Sequence, residues 1–430
     1  MDYDLAVIGA GWAGFNAALR AKDAGLKVCL IEKADIGGTC LNRGCIPTKS
    51  LIQSAKLFSQ LKKSANFGIE SSLPSANFLK IQERKDNIVR QLRAGMQSAL
   101  KGVDFLSAQA QIISVGEIKA GGQFIKTKSI LIACGSGPQE LAGFKFDGRK
   151  IISSDDILNL KNIPPTLLII GGGVIGCEFA SLFAALGAHV TIVEFMPQLL
   201  PGMDKEVAKK IETAFKKRGI KVNTNTRATP ELLSSHELVL VCVGRKPFVE
   251  GLGLEACGVK LEKGRILVDE YLRTNIPGIF ASGDCVSKTM LAHFAAYQGI
   301  IAAGNIIHPD RPIKADNTVI PGCIFTDPEI ASVGLIQEEA EGRGMDIKIN
   351  KFDFLGSGMA RILDETEGFI KVVSDKKTET LLGAFIIGPK ATELIAIFTV
   401  AITNNLKLSQ LRNTIFAHPS LSESIHEAVK

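Results

Sequence analysis

The chain has 430 residues, of which 46% are hydrophobic and 22% charged, and a formal net charge of +6. That length exceeds what one hydrophobic core usually serves, so two to four domains are expected. Lys and Arg are scattered and there are only 3 Tyr and 1 Trp, so the basic, aromatic-interleaved stripe of a single-strand nucleic-acid binder is missing and no nucleic-acid partner is expected.

In chain order, Tyr3-Asp4-Leu5-Ala6-Val7-Ile8 predicts a strand at once, with no basic leader before it, so no secretory segment is expected. Gly9, Gly11 and Gly14 come next, then an Ala-rich helical stretch closed by Gly25, which suits a left-handed helix end. A second strand, Leu26 to Ile31, finishes on Glu32. Residues 167–194 repeat residues 5–32 with an offset of 162. The strand Leu167 to Ile170 leads into Gly171, Gly173 and Gly176, a helical stretch closed by Gly187, and a strand His189 to Val193 finishing on Glu194. The late apolar stretch Leu394 to Ile402 is too short to span a bilayer and reads as a buried helix, so no membrane segment is expected.

The spacing has a physical reading. The first glycine turns the chain sharply out of the strand, and the second lets a pyrophosphate approach the backbone. The third lets helix and strand pack closely, and the helix start offers free N–H groups. The terminal acid accepts hydrogen bonds from a ribose. Each unit therefore reads as a dinucleotide module; two structural units that hold nothing are the plainer alternative. Glu194 favours NAD over NADP, because a carboxylate repels a ribose 2′-phosphate. Two modules imply two cofactors that exchange electrons. Thr274 to Asp284 reads as a strand ending in Gly283-Asp284, and Asp284 is placed to hydrogen-bond the sugar alcohol of FAD in the first module. An ordinary turn aspartate is the competing reading.

Nine cysteines (Cys29, Cys40, Cys45, Cys134, Cys177, Cys242, Cys257, Cys285, Cys323) form an odd, mostly isolated set, unlike an extracellular disulfide framework. A reducing compartment such as the cytoplasm is expected. Only Cys40 and Cys45 are close in sequence, within Gly37 to Lys49. On an undistorted helix their Cα atoms would stand roughly 7.5 Å apart, beyond the usual disulfide limit of about 7 Å. A bridge needs local distortion, which Gly44 and Pro47 make plausible, and a bridge closed under strain is easily reduced. A helix start near Pro47 would place Cys45 at a positive dipole end, favouring its thiolate. Two apolar fillers or half a zinc site remain as readings. No matching Cys or His pair at metal-ligand spacing accompanies them, so no metal is expected.

Near the end, His418 precedes Pro419 and a helix expected to begin near Ser420. Ser420-x-x-Glu423 fits a capping box. Glu423 also fits a partner that orients His418 and raises its basicity. Taken alone, a histidine before proline is more often structural than catalytic.

Nearly the whole chain resembles the dihydrolipoyl dehydrogenase family, in the class that includes glutathione and mercuric reductases. The resemblance rests on Gly37 to Lys49, Gly171 to Glu178, Val193-Glu194-Phe195, Leu200 to Asp204, Phe325 to Glu329 and His418 to Glu423. It implies that Cys40 is the interchange thiol and that Cys45 contacts the flavin and forms a charge-transfer complex with it. Lys49 and Glu178 match an ion pair on the nicotinamide side of the flavin. Leu291, Ala292 and His293 match a helix start whose backbone donors hold the reduced flavin's charge. His418, supported by Glu423, matches the base that serves the partner subunit's disulfide, so a homodimer is implied. Gly135 and Gly244 join the cofactor-contacting set. Partners implied are the lipoyl domains and acyltransferase core of 2-oxoacid dehydrogenase complexes, or a glycine-cleavage lipoyl carrier.

The expected fold is α/β, with two Rossmann-like dinucleotide-binding domains plus an α+β C-terminal dimerisation domain. An FAD domain is expected over residues 1–148 and 266–314, an NAD domain over 149–265, and the dimerisation domain over 315–430. Several positions depart from the family pattern. The chain between Thr226 and Glu237 is short, as if a β-meander were lost. Cys134 replaces a Thr, Phe416 replaces a His, and Phe248, Phe294 and Tyr297 stand at usually polar positions. Competing readings are a nicotinamide-dependent reductase of another disulfide or metal ion, which the lack of a C-terminal cysteine pair disfavours, and a non-catalytic flavin-holding subunit.

Overall fold

The computed structural model of the chain describes residues 1–70, 72 and 74–430, which fall into two compact units. The first comprises Met1–Ser50, Gln82–Gln139 and Gly244–Asp316. Its sheet is built from β1 (Tyr3–Ile8), β2 (Val28–Glu32), β3 (Asp104–Ser107), β4 (Ala110–Ser114), β5 (Glu117–Ala120) and β6 (Gln123–Ile132), in the order β3-β2-β1-β6-β5-β4. The strand Ile279–Ala281 adds to β6 in parallel. Strand β6 serves two ladders: its later half runs parallel to β1, with Leu5 opposite Ser129, and its early half pairs antiparallel with β5.

The runs of apolar residues in β1 and β2 follow from burial on both faces. Leu5 and Val7 sink into one cluster, beneath helix α1 (Trp12–Asp23), while Ala6 and Ile8 sink into the other. Small residues let α1 meet the helix Ala292–Ile307 closely. A Cβ on Gly299 would lie 2.1 Å from the carbonyl oxygen of Ala13, so only glycine fits there. Three further helices begin here or run through: α2 (Gly38–Arg43), α3 (Cys45–Lys62) and α4 (Phe78–Ala99).

The second unit, Leu51–Ile81, Glu140–Val243 and Asn317–Lys430, holds two sheets. One is parallel throughout, in the spatial order 221–223, 189–193, 166–170, 238–241, 151–152, with helix α5 (Val174–Ala185) against it and α6 (Lys205–Lys217) completing a second crossover. The other is a five-stranded antiparallel sheet, 322–324, 330–334, 381–387, 369–375, 347–353, backed by the helix Ala391–Thr403. That helix buries Leu394, Ile395, Phe398 and Ala401 but leaves Val400 60% exposed. The apolar stretch is therefore a one-faced helix, not one buried all round. One sheet with a parallel core and an antiparallel edge, one sheet parallel throughout, and an α+β module agree with the expected fold class.

The repeat seen in the sequence is a repeat in space. Both helices end on a glycine of positive φ, Gly25 at +84° and Gly187 at +103°. Each unit then hydrogen-bonds back in the same way, Leu26 N to Ala21 O at 3.1 Å and Ala188 N to Phe183 O at 2.9 Å. The halves differ where the chain is short. In the first, β4 and β5 intervene before β6. In the second, the stretch from Asn223 to Leu238 holds only a 3-10 turn, Pro230–Leu233. His236 and Glu237 tie that short path to the sheet, through Thr191 Oγ1 at 3.2 Å and Thr166 Oγ1 at 2.8 Å.

Candidate active site

The two glycine loops have the same construction. Gly9 leaves β1 at φ +105°, and a Cβ on it would stand 2.3 Å from Ala133 O; Gly171 leaves its strand at φ +110°, 2.5 Å from Cys242 O by the same measure. Side chains are excluded from both by backbone. At the third glycine the turn touches the helix: a Cβ on Gly14 would lie 1.9 Å from Gly9 O, and one on Gly176 2.0 Å from Gly171 O. The second glycine is different. Its Cβ would meet nothing closer than 3.9 Å at Gly11 and nothing within 4 Å at Gly173. Open space thus lies before both second glycines, next to the free N–H groups of a helix start, which is what an approaching pyrophosphate requires.

The terminal acids are buried and held alike. Glu32 accepts from Ala10 N at 2.7 Å and Ala34 N at 2.9 Å, and Glu194 accepts from Gly172 N at 2.6 Å and Met196 N at 2.7 Å. A carboxylate has room for about four hydrogen bonds, so capacity for a ribose remains at each. Beside Glu32 opens a cleft lined by Gly9, Lys33, Cys134, Phe248 and Leu252. Lys33 Nζ stands 4.7 Å over the Phe248 ring, which fills the space a Cβ on Gly137 would need.

The cysteine pair sits on a helix interrupted between them. Cys40 lies in α2, which stops at Gly44 (φ −148°, ψ −115°), and α3 starts afresh at Cys45. A Cβ on Gly44 would press on Thr39 O at 3.0 Å and Cys40 Cα at 3.3 Å. The distortion expected at Gly44 is present, and the helix starts two residues before Pro47. Cys45 is therefore the first residue of an 18-residue helix, at its positive end. Both cysteines are half-buried thiols in hydrogen-bond contact. That contact, and then burial, push the Cys40 thiol far above its ordinary range, while Trp12 and the Lys49 charge pull the other way.

Around the first module the remaining expected residues converge. Asp284 follows the strand Ile279–Ala281 and accepts from Ser136 Oγ at 2.5 Å. Ser136 in turn is held by Arg245, whose Nε donates to its Oγ at 2.9 Å and whose Nη2 donates to its carbonyl at 2.6 Å. Gly135 and Gly244 lie at the ends of the short ladder that 136–138 forms with 245–247, both at positive φ. Leu291 is the N-cap and Ala292 and His293 the first residues of the helix Ala292–Ile307, as the expected donor position requires.

In the second unit His418 Nδ1 lies 2.9 Å from Glu423 Oε1, and Ser420 N donates to Glu423 Oε2 at 2.8 Å. The orienting and capping readings of Glu423 thus hold together, on its two oxygens. The helix, however, begins at Glu423 rather than near Ser420. The Ser420 hydroxyl donates to Ala417 O and contacts Ser422 Oγ, so only half of a capping box forms. The Ser420 N–H, then His418, hold the Glu423 carboxyl below its usual pKa. The His418 side chain is 82% exposed. Glu178, buried in α5, accepts from Phe325 N at 2.9 Å. Lys49 lies in the first turns of α3, in the first unit.

Ser136 and Arg245 were not singled out by sequence reasoning. Their roles arise from partners far along the chain, and the polar residues after Gly135 and Gly244 were the only local signal. Among the described residues no group of His, Cys, Asp or Glu is arranged to hold a metal ion, and no helix is long and apolar enough to cross a membrane.

Twin nucleotide loops with a thiol pair on a broken helix define a nucleotide-dependent thiol–disulfide oxidoreductase. The chain belongs to the pyridine nucleotide-disulphide oxidoreductase family: residues 3–299 match that family's model and residues 320–429 match its dimerisation domain. It is similar to dihydrolipoyl dehydrogenase from Chlamydia muridarum, 40% identical over 98% of this chain and 95% of the relative. The enzyme of that name from Thermus scotoductus is 40% identical over 100% and 97%. Among solved structures, LpdA from Mycobacterium tuberculosis (27% identity, TM-score 0.90) and the HOCl-induced flavoprotein disulfide reductase RclA from Escherichia coli (28%, TM-score 0.89) each cover 99% of this chain and align over 99% of their own. FAD and NAD are the cofactors of this architecture. The open approaches at Gly11 and Gly173 and the spare capacity of Glu32 and Glu194 fit them.

Proposed function

We propose that the chain oxidises dihydrolipoamide to lipoamide and reduces NAD, acting as a dihydrolipoyl dehydrogenase. The observation that carries this reading is the hydrogen-bonded Cys40–Cys45 pair, set across the Gly44 break beside the first dinucleotide loop. Relatives of that name, 36–40% identical over nearly the full chain, support the substrate.

His418, held at Nδ1 by Glu423, takes a proton from a substrate thiol, since the thiolate is the nucleophile. That thiolate attacks Cys40 Sγ of the oxidised pair; the bond to Cys45 breaks and Cys45 leaves as a thiolate. The second substrate thiol then attacks the substrate sulfur bonded to Cys40, and its proton passes to the departing Cys40 sulfur. Lipoamide departs, and Cys40 is left as a thiol, in line with its raised pKa. Two substrate thiols have become one disulfide, and one disulfide of the chain has become a thiol and a thiolate. FAD held at the first module would supply the two-electron chemistry that links this dithiol to NAD.

Gly9, Gly11, Gly14, Glu32, Gly135 and Asp284 are assigned to FAD, together with the 291–293 helix start. Gly171, Gly173, Gly176, Glu194 and Gly244 are assigned to NAD, and Lys49 and Glu178 to the nicotinamide side of the flavin. The corresponding division is 1–148 with 266–314 for FAD, 149–265 for NAD and 315–430 for dimerisation. Two chains would pair so that each His418 serves its partner's thiols. The match to a dimerisation domain and the exposure of His418 support this. Lipoyl domains of 2-oxoacid dehydrogenase complexes, or a glycine-cleavage lipoyl carrier, are the proposed partners, and the cytoplasm the compartment.

Anaerobic mixing of the FAD-loaded protein with dihydrolipoamide and NAD tests the proposal. NADH should form with the native chain and be lost in Cys45→Ser. A native protein that binds no flavin after reconstitution, or that reduces NAD only with a different thiol, overturns it.

A further inference from the structure

Helix α2 has six residues, far too few to be stable by itself, and glycine stands at both ends: Gly37 and Gly38 at φ +92° and +57°, and Gly44 beyond. Something outside it must hold the segment that carries Cys40. The side chain of Asn42 does so with every hydrogen bond it can make. Its Nδ2 donates to Ile36 O and to Gly38 O, both at 2.9 Å, tying the start of α2 back onto itself. Its Oδ1 accepts two bonds from Arg93, from Nε at 3.1 Å and from Nη2 at 2.6 Å. The third guanidinium nitrogen, Nη1, reaches Asp35 Oδ1 at 3.1 Å. Arg93 belongs to α4, a 22-residue helix, so the short helix with the reactive sulfur is fastened to a long one.

We infer that Asn42 and Arg93 form a clamp that sets the equilibrium between the dithiol and disulfide forms of Cys40–Cys45, acting as positioning residues. The inference rests on the redox reading of that pair. Closing the bond draws the sulfurs to about 2.05 Å, which pulls Cys40 toward Cys45. A clamped α2 resists that pull, so the disulfide is less stable than it would be on a free segment. Releasing the clamp lets α2 follow the sulfur and favours the oxidised form. A fork-shaped guanidinium suits this role because two bonds to one oxygen fix direction as well as distance.

The FAD-loaded protein is equilibrated in dithiothreitol redox buffers, quenched by alkylation, and the fraction with Cys40 bridged to Cys45 is read by mass spectrometry. Arg93→Ala should move the half-oxidation ratio about tenfold toward disulfide, equivalent to roughly 30 mV on this two-electron couple. Arg93→Lys keeps the charge but not the fork and should show most of the shift. Asn42→Asp keeps the acceptor for Arg93 but loses both donors, so it should shift the same way even if Arg93→Ala does not fold. Folded variants that equilibrate within twofold of the native chain overturn the clamp. A native chain in which no disulfide forms in any buffer overturns the redox reading itself, a different result from the first.

Discussion

Two alanine substitutions in one loop separate holding the fold from holding the nucleotide. At Gly173 the backbone has an ordinary φ of −73° and an added Cβ meets nothing within 4 Å. Gly173→Ala should therefore leave the fold intact and raise stability by about 0.4–1 kcal/mol, through the restricted unfolded chain. The same methyl occupies the open space assigned to the pyrophosphate of NAD, and a displacement of about 1 Å there should cost on the order of 10²-fold. At Gly176 the added Cβ would lie 2.0 Å from Gly171 O and 3.1 Å from Cys242 Sγ, well inside contact. Helix α5 must shift away from the turn, and overpacking of this kind costs about 1–3 kcal/mol. Gly176→Ala should thus lose both stability and NAD affinity. Urea unfolding gives the first quantity, and the KM for NAD at saturating dihydrolipoamide the second. Flavin content should be unchanged in both, because FAD is assigned to the other module. A Gly173→Ala protein that bound NAD as well as the native chain would refute the assignment of that open space to a phosphate.

Further outcomes follow from the polar contacts. Glu423 has a lowered pKa, so it remains a carboxylate opposite His418 down through the ordinary carboxylate range, and its effect is lost only as pH falls below that. Glu423→Gln leaves His418 Nδ1 without its carboxylate partner and should forfeit part of the roughly 10²–10⁴-fold in kcat/KM that a general base supplies; an unchanged kcat/KM would mean that Glu423 only caps the helix. Lys371 is buried between Asp204 at 2.8 Å and Glu206 at 2.7 Å, and although burial works against its charge, those carboxylates keep its pKa above the usual lysine value. Its contribution is therefore present below an unfolded pKa of about 10.4 and lost only as pH rises through the higher folded value. Lys371→Met leaves Asp204, 1% exposed, without its partner, and should lower stability by about 3–5 kcal/mol. An unfolding midpoint equal to the native one would show that Asp204 is satisfied by its bonds to Glu206 N and Val207 N alone.

Much of the candidate site was legible before any coordinates. Gly9 and Gly171 need positive φ, Gly14 and Gly176 need the absence of a side chain, and Gly44 breaks the helix between Cys40 and Cys45. These are demands made within a few residues, so spacing alone exposes them. The start of the last helix was less legible, because Ser420 has other oxygens within reach and the turn at 421–422 competes with the helix. The short path before Glu237 was legible in length, but its turn docked through His236 was not.

Chain-local chemistry therefore settled that there would be two nucleotide loops and one close thiol pair. Which distant side chains would steady them was settled only when the sheets assembled. Ser136 reaches Asp284 across 148 residues, Glu178 reaches Phe325 across 147, and Arg93 reaches Asn42 across 51. A hydrogen bond depends on ångström distances between side chains, and for residues so far apart those distances follow from strand order and helix packing, which no local pattern encodes.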